Sequence, residues 1–453
     1  MKKKIASSFG LTLLSSGLFF GFNFLIAKIL GAEVYGQISY YLSFIQILIL
    51  VISFNYAALY MGNKITREDE NTFSLFMSVE SISLLVIVSP AYFILYNYIP
   101  DSTLVILMIL IAYFSTLTSL IGLEFNSKKE IPQSILYSTL LPRALLAVIF
   151  LVLLSIGLAT PKSYLYTCLF TFIVITGYFL FKFHPKFYLK KEFFHRAWKF
   201  YLLGIIGASF KPLANILQKE YYGYSEVANL SLALLFLAGF YLIGSVLVKF
   251  VLPKIHEAWR DKDLEYIEML YSNNTTLEVL LISPIVVFFL LNMEIIVSFL
   301  GSSYNLLPMY LLILMIGFLP DLFTGITGNL LRATENEKYE IFNEIIVLSS
   351  GLGLIYLLRE YQYGVVLAIA ISSFLYNISK FLEVYIVLKI KPFNVKKLFL
   401  LTGYILLLTL IFKFLSLIED LYIKLFLDSL VMVVIYIMNY KIIMKTNLLR
   451  GFK

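Results

Sequence analysis

The sequence is poor in cysteine and in charged residues. Its one thiol, Cys168, cannot form an intrachain disulfide. Charged side chains make up 14% of the 453 residues, whereas soluble domains carry about a quarter. The mean hydropathy is +0.87. These values exclude an ordinary soluble globular protein.

Histidine is scarce as well. The three histidines, His184, His195 and His256, are scattered through polar segments, and their spacing does not resemble that of a metal site. The sequence also lacks the GxxxxGK[ST] phosphate-binding loop, so nucleotide hydrolysis by this chain is not expected. We therefore expect neither a metal nor a cofactor.

Long apolar runs recur from one end of the sequence to the other. Each is close to the length of about 20 residues that an α-helix needs to cross a bilayer. The first run follows three lysines and is too long for the apolar core of a secretory signal, so we interpret it as a transmembrane helix. The pattern predicts an all-α integral membrane protein of about 14 transmembrane helices: 8–30, 37–60, 74–97, 103–126, 134–158, 162–183, 197–219, 226–250, 275–299, 307–331, 341–358, 363–388, 397–417 and 421–441.

The basic residues predict the orientation of these helices. With the N-terminus in the cytoplasm, six of the 36 Lys and Arg lie in outer connections and three lie within helices, which leaves 27 on the inner side. This bias obeys the positive-inside rule and places both termini in the cytoplasm. Because the basic residues lie on the inner side, we expect the net charge of +8 to interact with anionic membrane lipids and not with nucleic acid.

Two stretches of the chain occur twice. "AKILGAEVYGQIS" (27–39) resembles "QKEYYGYSEVANLS" (218–231), with Glu33 and Glu226 offset by 193 residues. A Ser-Pro pair in the middle of a predicted helix also occurs twice, and its prolines, Pro90 and Pro284, are 194 residues apart. Nearly equal offsets indicate duplication of a six-helix unit. We interpret 27–39 as an outer hairpin in which Gly31 and Gly36 turn the chain.

The duplication predicts two six-helix lobes related by a pseudo-twofold axis along the membrane normal, followed by two further helices. Parallel repeats of this kind occur in transporters that bind their substrate between the two halves. The predicted boundaries are 1–183 for the N-terminal lobe, 184–196 for a cytoplasmic linker, 197–390 for the C-terminal lobe and 391–453 for helices 13–14 with the tail.

The stretch "FGFNFLIAKILGAEVYGQISYYLSF" carries a signature, (A)-(K/R)-x-L-G-x-E-x-Y-G, after the first helix. In this signature and in its helix count the chain resembles the polysaccharide transporter family, which includes the Wzx-type O-antigen flippases. That family belongs to the superfamily of lipid II flippases and multidrug and toxin extrusion proteins. The resemblance implies a flippase of the bacterial inner membrane that moves a polyprenyl-pyrophosphate-linked oligosaccharide for O-antigen lipopolysaccharide, capsule or exopolysaccharide. It also implies a polysaccharide polymerase and a chain-length regulator as partners.

Three charged residues inside predicted helices each adjoin a proline. They are the pairs Pro142-Arg143, Lys211-Pro212 and Pro320-Asp321. A charge in the bilayer is costly and usually faces protein or a hydrated cavity, and proline frees a backbone carbonyl that makes a polar hinge. We predict Arg143 first and Lys211 second as ligands of the pyrophosphate, with structural pairing as the alternative for each. Asp321 carries a coupling cation or, as we favour, balances a positive charge.

Other residues have weaker assignments. Lys28 and Lys219 lie at the mouth of the predicted cleft or at the interface, as candidate substrate contacts or snorkelling side chains. Lys380 and Glu383 are spaced to pair on one helix face. Gly17-xxx-Gly21 is typical of close helix packing. Tyr40 and Tyr41 are candidates for stacking on sugar rings.

Three other functions compete with the flippase. A cation-coupled multidrug exporter of the same superfamily needs buried acids, and the interior of the first helix has none. A membrane-embedded polymerase or glycosyltransferase needs a large outer loop with catalytic residues, and the outer connections are short. A purely structural scaffold does not account for charges beside prolines. We therefore expect a transporter and no enzymatic activity.

Overall fold

The structure is a computed structural model that describes residues 2–53, 59–60, 64, 70–334, 336–393, 395–418, 420–446 and 448. This part of the chain is helical throughout and contains no strand, so the all-α prediction is confirmed. Its α-helices are α1 (Lys2–Ile52), α2 (Thr72–Tyr98), α3 (Ser102–Ser127), α4 (Ile131–Ile135), α5 (Leu141–Ser155), α6 (Pro161–Phe183), α7 (Lys191–Tyr222), α8 (Tyr224–Arg260), α9 (Leu264–Leu291), α10 (Met293–Leu300), α11 (Leu307–Thr324), α12 (Thr327–Ala333), α13 (Glu337–Leu358), α14 (Gly364–Leu388), α15 (Val395–Leu415) and α16 (Leu421–Lys445).

Twelve helices of the described chain are long and apolar enough to cross a membrane. One of them, Gly10–Ile52 in α1, includes most of the first predicted helix and the second as far as Ile52. The predicted seventh helix is present as α7 but is not among the twelve. These helices account for the fourteen that the sequence predicts, except that residues 54–58 of the second lie outside the described residues. The chain is a multi-pass membrane protein. Below, "inner" and "outer" refer to the predicted topology.

The first two predicted helices join at Gly31 without a separate loop. Gly31 has φ 76° and ψ 171°, a backbone conformation that is open essentially to glycine alone. The prediction of a turn at Gly31 is confirmed. Gly36 stays inside the helix, so the prediction that it turns the chain is wrong; its lack of a side chain serves a close contact instead.

The chain divides into two compact units, Met1–Ala228 (unit 1) and Asn229–Lys453 (unit 2). In unit 1, α3 packs against α1, α2 and α6, and α1 also packs against α7. In unit 2, α14 packs against α11 and α13. The lobe boundary predicted at 184–196 rests on the sequence repeat and stays a prediction.

The outer connection between α2 and α3 is held by Asp101. Its Oδ1 accepts the backbone N–H groups of Thr103 (2.9 Å) and Leu104 (3.2 Å), and Lys162 Nζ lies 3.4 Å from Oδ2. The hydrogen bond from Leu104 is the largest of the contacts that hold the pKa of Asp101 below its ordinary value. Asp101 therefore caps α3 in its ionised form.

The last two helices dock on a proline kink in α9. Pro284 lacks the N–H that the Leu280 carbonyl would accept, and Asn439 on α16 supplies a replacement donor at 2.7 Å. The same amide group donates to the Tyr404 hydroxyl on α15 (2.7 Å), and the Tyr436 hydroxyl donates to the Leu281 carbonyl (2.8 Å). One buried side chain thus links α9, α15 and α16.

Replacing Asn439 with leucine should lower the stability of the purified protein by about 1–2 kcal/mol, because a buried carbonyl and a hydroxyl lose their donor. Thermal unfolding in detergent measures the change. Ser429→Ala is the matched control, since Ser429 is exposed on the same helix and bonds only to its own backbone. Equal melting temperatures for both variants would contradict this docking role.

Candidate functional site

A widened turn precedes Arg143 in unit 1. Residues Leu136–Leu140 form a π-helical turn between α4 and α5, and the Leu141 N–H bonds to the Leu136 carbonyl. The buried Pro142 follows and supplies no backbone donor. π-helical turns often mark functional sites. Here the turn lies directly before a proline, where the regular α-helical hydrogen bonds are interrupted.

Arg143 lies at the middle of a membrane-spanning segment. It is the thirteenth of the 25 residues of Ile131–Ser155, about 18 Å from the start at the helical rise. Its Nη1 donates to the hydroxyl (3.2 Å) and carbonyl (3.3 Å) oxygens of Ser15, and its guanidinium carbon lies 4.5 Å from the ring centroid of Phe19. These contacts fix the side chain against α1.

The half-buried Arg143 guanidinium has no carboxylate partner in unit 1 as far as the structure describes it. Ser15 and Phe19 are neutral groups, and the hydrogen bonds to Ser15 use a single nitrogen. A guanidinium carries five N–H donors arranged to bind planar or tetrahedral oxyanions through two parallel bonds. Arg143 can therefore bind an anion without first breaking an ion pair in this unit.

A cavity of about 490 Å³ lies in the inner half of unit 1. Its wall carries hydroxyl and amide groups on α1, α3, α7 and the segment around the π-helical turn, and none of its described lining residues is charged. The polar groups belong to Ser53, Ser119, Asn126, Ser134, Ser138, Thr139 and Tyr201. Such a surface suits a neutral, hydroxyl-rich ligand.

The cavity and Arg143 are adjacent along one helix. Thr139 lines the cavity, and Arg143 follows four residues later, one helical turn towards the outer side. The neutral polar cavity therefore lies on the inner side of the Arg143 guanidinium, one helical turn away. A ligand with uncharged polar groups next to an anion matches this order.

Lys211 and Pro212 lie in the middle of α7. The Lys211 side chain is exposed and Pro212 is buried. Pro212 lacks the N–H that the Ala208 carbonyl would accept, and Ala208 lines the cavity. Pro212 thus leaves the carbonyl of a cavity-lining residue without its usual helical donor, and its role as a hinge stays a prediction. The role of Lys211 in binding stays a prediction.

Lys219 lies in a cluster at the outer end of α7. Its Nζ pairs with Glu220 Oε1 at 2.9 Å and lies 5.2 Å and 5.6 Å from the ring centroids of Tyr40 and Tyr224. The Tyr40 hydroxyl donates to the same Glu220 oxygen at 3.0 Å. The charge of Lys219 is therefore balanced within unit 1. Lys28 is exposed beside the Gly31 kink, about 20 Å along α1 from Ser15.

Tyr40 does not offer a ring to a sugar in this structure. It is fully buried, with the rings of Phe44 and Tyr224 at 5.0 Å and 5.6 Å. Neighbouring aromatic side chains therefore occupy the positions that a sugar ring would need. The prediction of stacking at Tyr40 is wrong, because tertiary packing encloses a residue that the sequence places near the outer interface.

Asp321 lies beside Pro320 near the end of α11, in a polar cluster of unit 2. The Tyr241 hydroxyl hydrogen-bonds to it, and the carboxyl group of Glu278 is near enough to interact with it electrostatically. Glu278 is buried and accepts a hydrogen bond from Asn274 Nδ2 at 2.8 Å. This pair of carboxyl groups was not predicted. The coupling or charge-balancing role of Asp321 stays a prediction.

Lys380 pairs with a different acid from the one predicted. Its Nζ lies 3.3 Å from Glu340 Oε1 on α13, whereas Glu383 accepts Asn343 Nδ2 at 2.6 Å. Arg332 also pairs with Glu340, at 2.5 Å. Residues 40 positions apart form this network, so no local spacing in the sequence could have indicated it.

No protein-family model and no curated protein sequence matches this chain. Solved structures do. The lipid II flippase MurJ in an inward closed conformation superposes with a TM-score of 0.74 at 17% identity, over 96% of this chain and 98% of that one. The chain has the fold of these transporters.

Two further structures share the fold. An inward-facing multidrug resistance MATE family transporter of the MOP superfamily has a TM-score of 0.59 and 16% identity, over 84% of this chain and 94% of that one. A MOP superfamily transporter from Pyrococcus furiosus, described as having a binding pocket of reverse polarity, has a TM-score of 0.62 and 13% identity, over 86% and 96%. At such identities the likeness shows the fold alone.

Proposed function

We propose that this protein is a flippase that moves a polyprenyl-pyrophosphate-linked oligosaccharide from the inner to the outer leaflet of the bacterial cytoplasmic membrane by alternating access. The observation that carries the proposal is Arg143, a fixed guanidinium at mid-span with no counter-ion in unit 1 as described. A charge in such a position marks a functional site by default. The fold shared with MurJ supports a lipid-linked substrate.

Unit 1 offers separate surfaces for the two polar parts of such a substrate. Sugar hydroxyls donate to and accept from the hydroxyl groups that line the cavity. The pyrophosphate binds the N–H groups of Arg143 through charge-assisted hydrogen bonds. No covalent bond is made or broken, and the lipid tail stays in the bilayer. Together with the sequence signature around Gly31, these features support our proposal of a Wzx-type role in O-antigen, capsule or exopolysaccharide assembly.

Replacing Arg143 with alanine should reduce export at least tenfold, because one charge-assisted hydrogen bond contributes about 1.5–3 kcal/mol and about 1.4 kcal/mol equals a factor of ten. Arg143→Lys should restore part of the activity, since an ammonium keeps the charge but not the bidentate geometry. The measurement is flipping of a fluorescent lipid-linked oligosaccharide in proteoliposomes, at equal amounts of inserted protein.

Arg359→Ala is the control, because Arg359 is an exposed arginine paired with the exposed Glu360. It should transport like the wild-type protein. Wild-type rates for Arg143→Ala would remove this residue from the binding site and take away the main support for the proposal.

A multidrug exporter is the second candidate. The observation that favours it is the pair of acidic side chains Glu278 and Asp321 in unit 2, because carboxyl groups in a membrane-spanning region can bind cationic drugs. Susceptibility assays on overexpressing cells separate the two functions. Drug resistance that depends on Asp321 and not on Arg143 would favour the exporter.

A further inference from the structure

Glu80 is a fully buried carboxyl group in unit 1 that the proposed binding site does not use. It is the ninth residue of α2 and has no exposed surface. By the helical rise it lies about 12 Å into the membrane-spanning segment Thr72–Tyr98. An ionised carboxylate at this depth requires a cation or several hydrogen-bond donors.

Neither requirement is met in the part of unit 1 that the structure describes. Both carboxyl oxygens of Glu80 lack a hydrogen-bond donor. On the neighbouring helix α3, Glu124 pairs with Lys64 at 3.6 Å and with Lys128 at 3.0 Å, and it accepts the Tyr60 hydroxyl at 2.5 Å. Glu124 is thus the ionised carboxyl group of this region and Glu80 is left without compensation.

The hydroxyl group that faces Glu80 on α3 has its hydrogen engaged elsewhere. The Thr116 hydroxyl on α3 faces its carboxyl group, but that hydroxyl donates its hydrogen to the Tyr113 carbonyl at 2.7 Å. Tyr113, the titratable side chain nearest on α3, shares a hydrogen bond of 2.8 Å with Ser81. On the segment before α7, Lys186 is exposed and contacts α2 only through its backbone N–H at Ser74.

A hydroxyl whose hydrogen is already donated can only accept a hydrogen bond from the carboxyl group. The geometry therefore fits a Glu80 that carries a proton and donates it towards Thr116. The residue at the position 194 further along, the offset that relates Pro90 to Pro284, is Asn274. Since the repeated helix takes an amide there, the fold itself does not require an acid at this position.

The residue that faces Glu80 lies close to the inner cavity along α3. Thr116 and Ser119 are three residues apart on α3 and so lie on one face, and Ser119 lines the cavity. The residue that faces Glu80 is thus one helical turn from a residue that lines the inner cavity.

We propose that Glu80 is a proton-binding site that couples transport to a proton gradient. The carboxyl group is protonated in the conformation described here. In another conformation its O–H bond breaks, the proton passes to water in the cavity, and the carboxylate remains. The coupling rests on the proposed transport function, but the binding of the proton does not.

Infrared spectroscopy of the purified protein tests proton binding without any substrate. A protonated carboxyl group in the membrane gives a C=O stretching band distinct from that of a carboxylate, and Glu80→Gln should remove one component of this band at neutral pH. Glu124→Gln is the matched control in the same helix pair; it should leave the band unchanged because Glu124 is ionised. An unchanged band in Glu80→Gln would overturn the proposal.

Proteoliposomes test the coupling. Wild-type flipping should rise severalfold when a proton gradient is imposed with the acidic side facing the compartment that receives the substrate headgroup. Glu80→Gln, which mimics the protonated form, should transport at a rate that the gradient does not change. A variant that still responds like the wild type would overturn the coupling even if its infrared band is lost. If the substrate does not flip at all, the proposed function fails and the infrared result still stands.

Discussion

Replacing Gly36 with alanine should prevent stable folding of unit 1. A Cβ atom at Gly36 would lie 1.8 Å from the carbonyl oxygen and 2.6 Å from the carbonyl carbon of Tyr224. Both are backbone atoms and cannot rotate away. Overpacking usually lowers stability by about 1–3 kcal/mol, and a backbone clash of this depth should exceed that range. Membrane protein stability is small enough that the level of inserted protein should fall sharply.

The measurement is the amount of protein in the membrane together with its melting temperature in detergent. Gly21→Ala is the matched control on the same helix, because no atom of the described chain lies within 4 Å of a Cβ atom at Gly21 or at Gly17. It should hold or raise stability, since alanine favours the helix by about 1 kcal/mol over glycine. Equal behaviour of Gly36→Ala and Gly21→Ala would show that α1 and Tyr224 are farther apart than described.

Replacing Glu340 with glutamine should lower the stability of unit 2 by about 3–5 kcal/mol, the usual effect of leaving one charge of a buried pair without its partner. The Lys380 side chain is only 9% exposed and Glu340 4%, so solvent cannot take the place of the lost carboxylate. Arg332 is 59% exposed and should be affected less. Unfolding in detergent, followed by circular dichroism, measures the change.

Two further variants give this prediction its controls. The double variant Glu340→Gln with Lys380→Met should recover most of the loss, because it removes the unpaired charge as well. Glu360→Gln, which breaks the exposed pair with Arg359, should change stability by less than about 1 kcal/mol. A single and a double variant of equal stability would mean that charge compensation is not the cause.

The helices were predictable because each membrane span depends on a local run of apolar residues. One difference, the continuity of α1 through Gly31, arises because a single residue with positive φ redirects the chain without a loop. The pattern of apolar residues cannot predict the φ angle of a single glycine. The hydrophobic pattern also cannot distinguish a π-helical turn from a regular α-helix. Near Pro142 the sequence could predict only that the helix is irregular.

The candidate site was predictable only where a charge interrupts an apolar run. Arg143 could be singled out in this way, and so could Glu80, which stands alone among apolar and hydroxyl residues in "FMSVESISLL" but adjoins no proline. The sequence could suggest partners for Lys219 and Lys380 only among residues a few positions away. It could not indicate Tyr40 and Glu340, because tertiary packing brings these distant residues to the two lysines. The same holds for the cavity, whose lining residues come from four parts of the chain.

The Asn439 contact distinguishes the two similar Ser-Pro segments of the sequence. Around Pro284 the contacts of Asn439 and Tyr436 brace α9 against bending. Around Pro90 the side chains Leu85, Val86 and Phe93 are exposed, whereas Ala91 and Leu95 on the opposite side of α2 are buried. The two similar Ser-Pro segments therefore have different surroundings: hydrogen bonds from α16 hold α9 beside Pro284, whereas α2 presents exposed apolar side chains around Pro90.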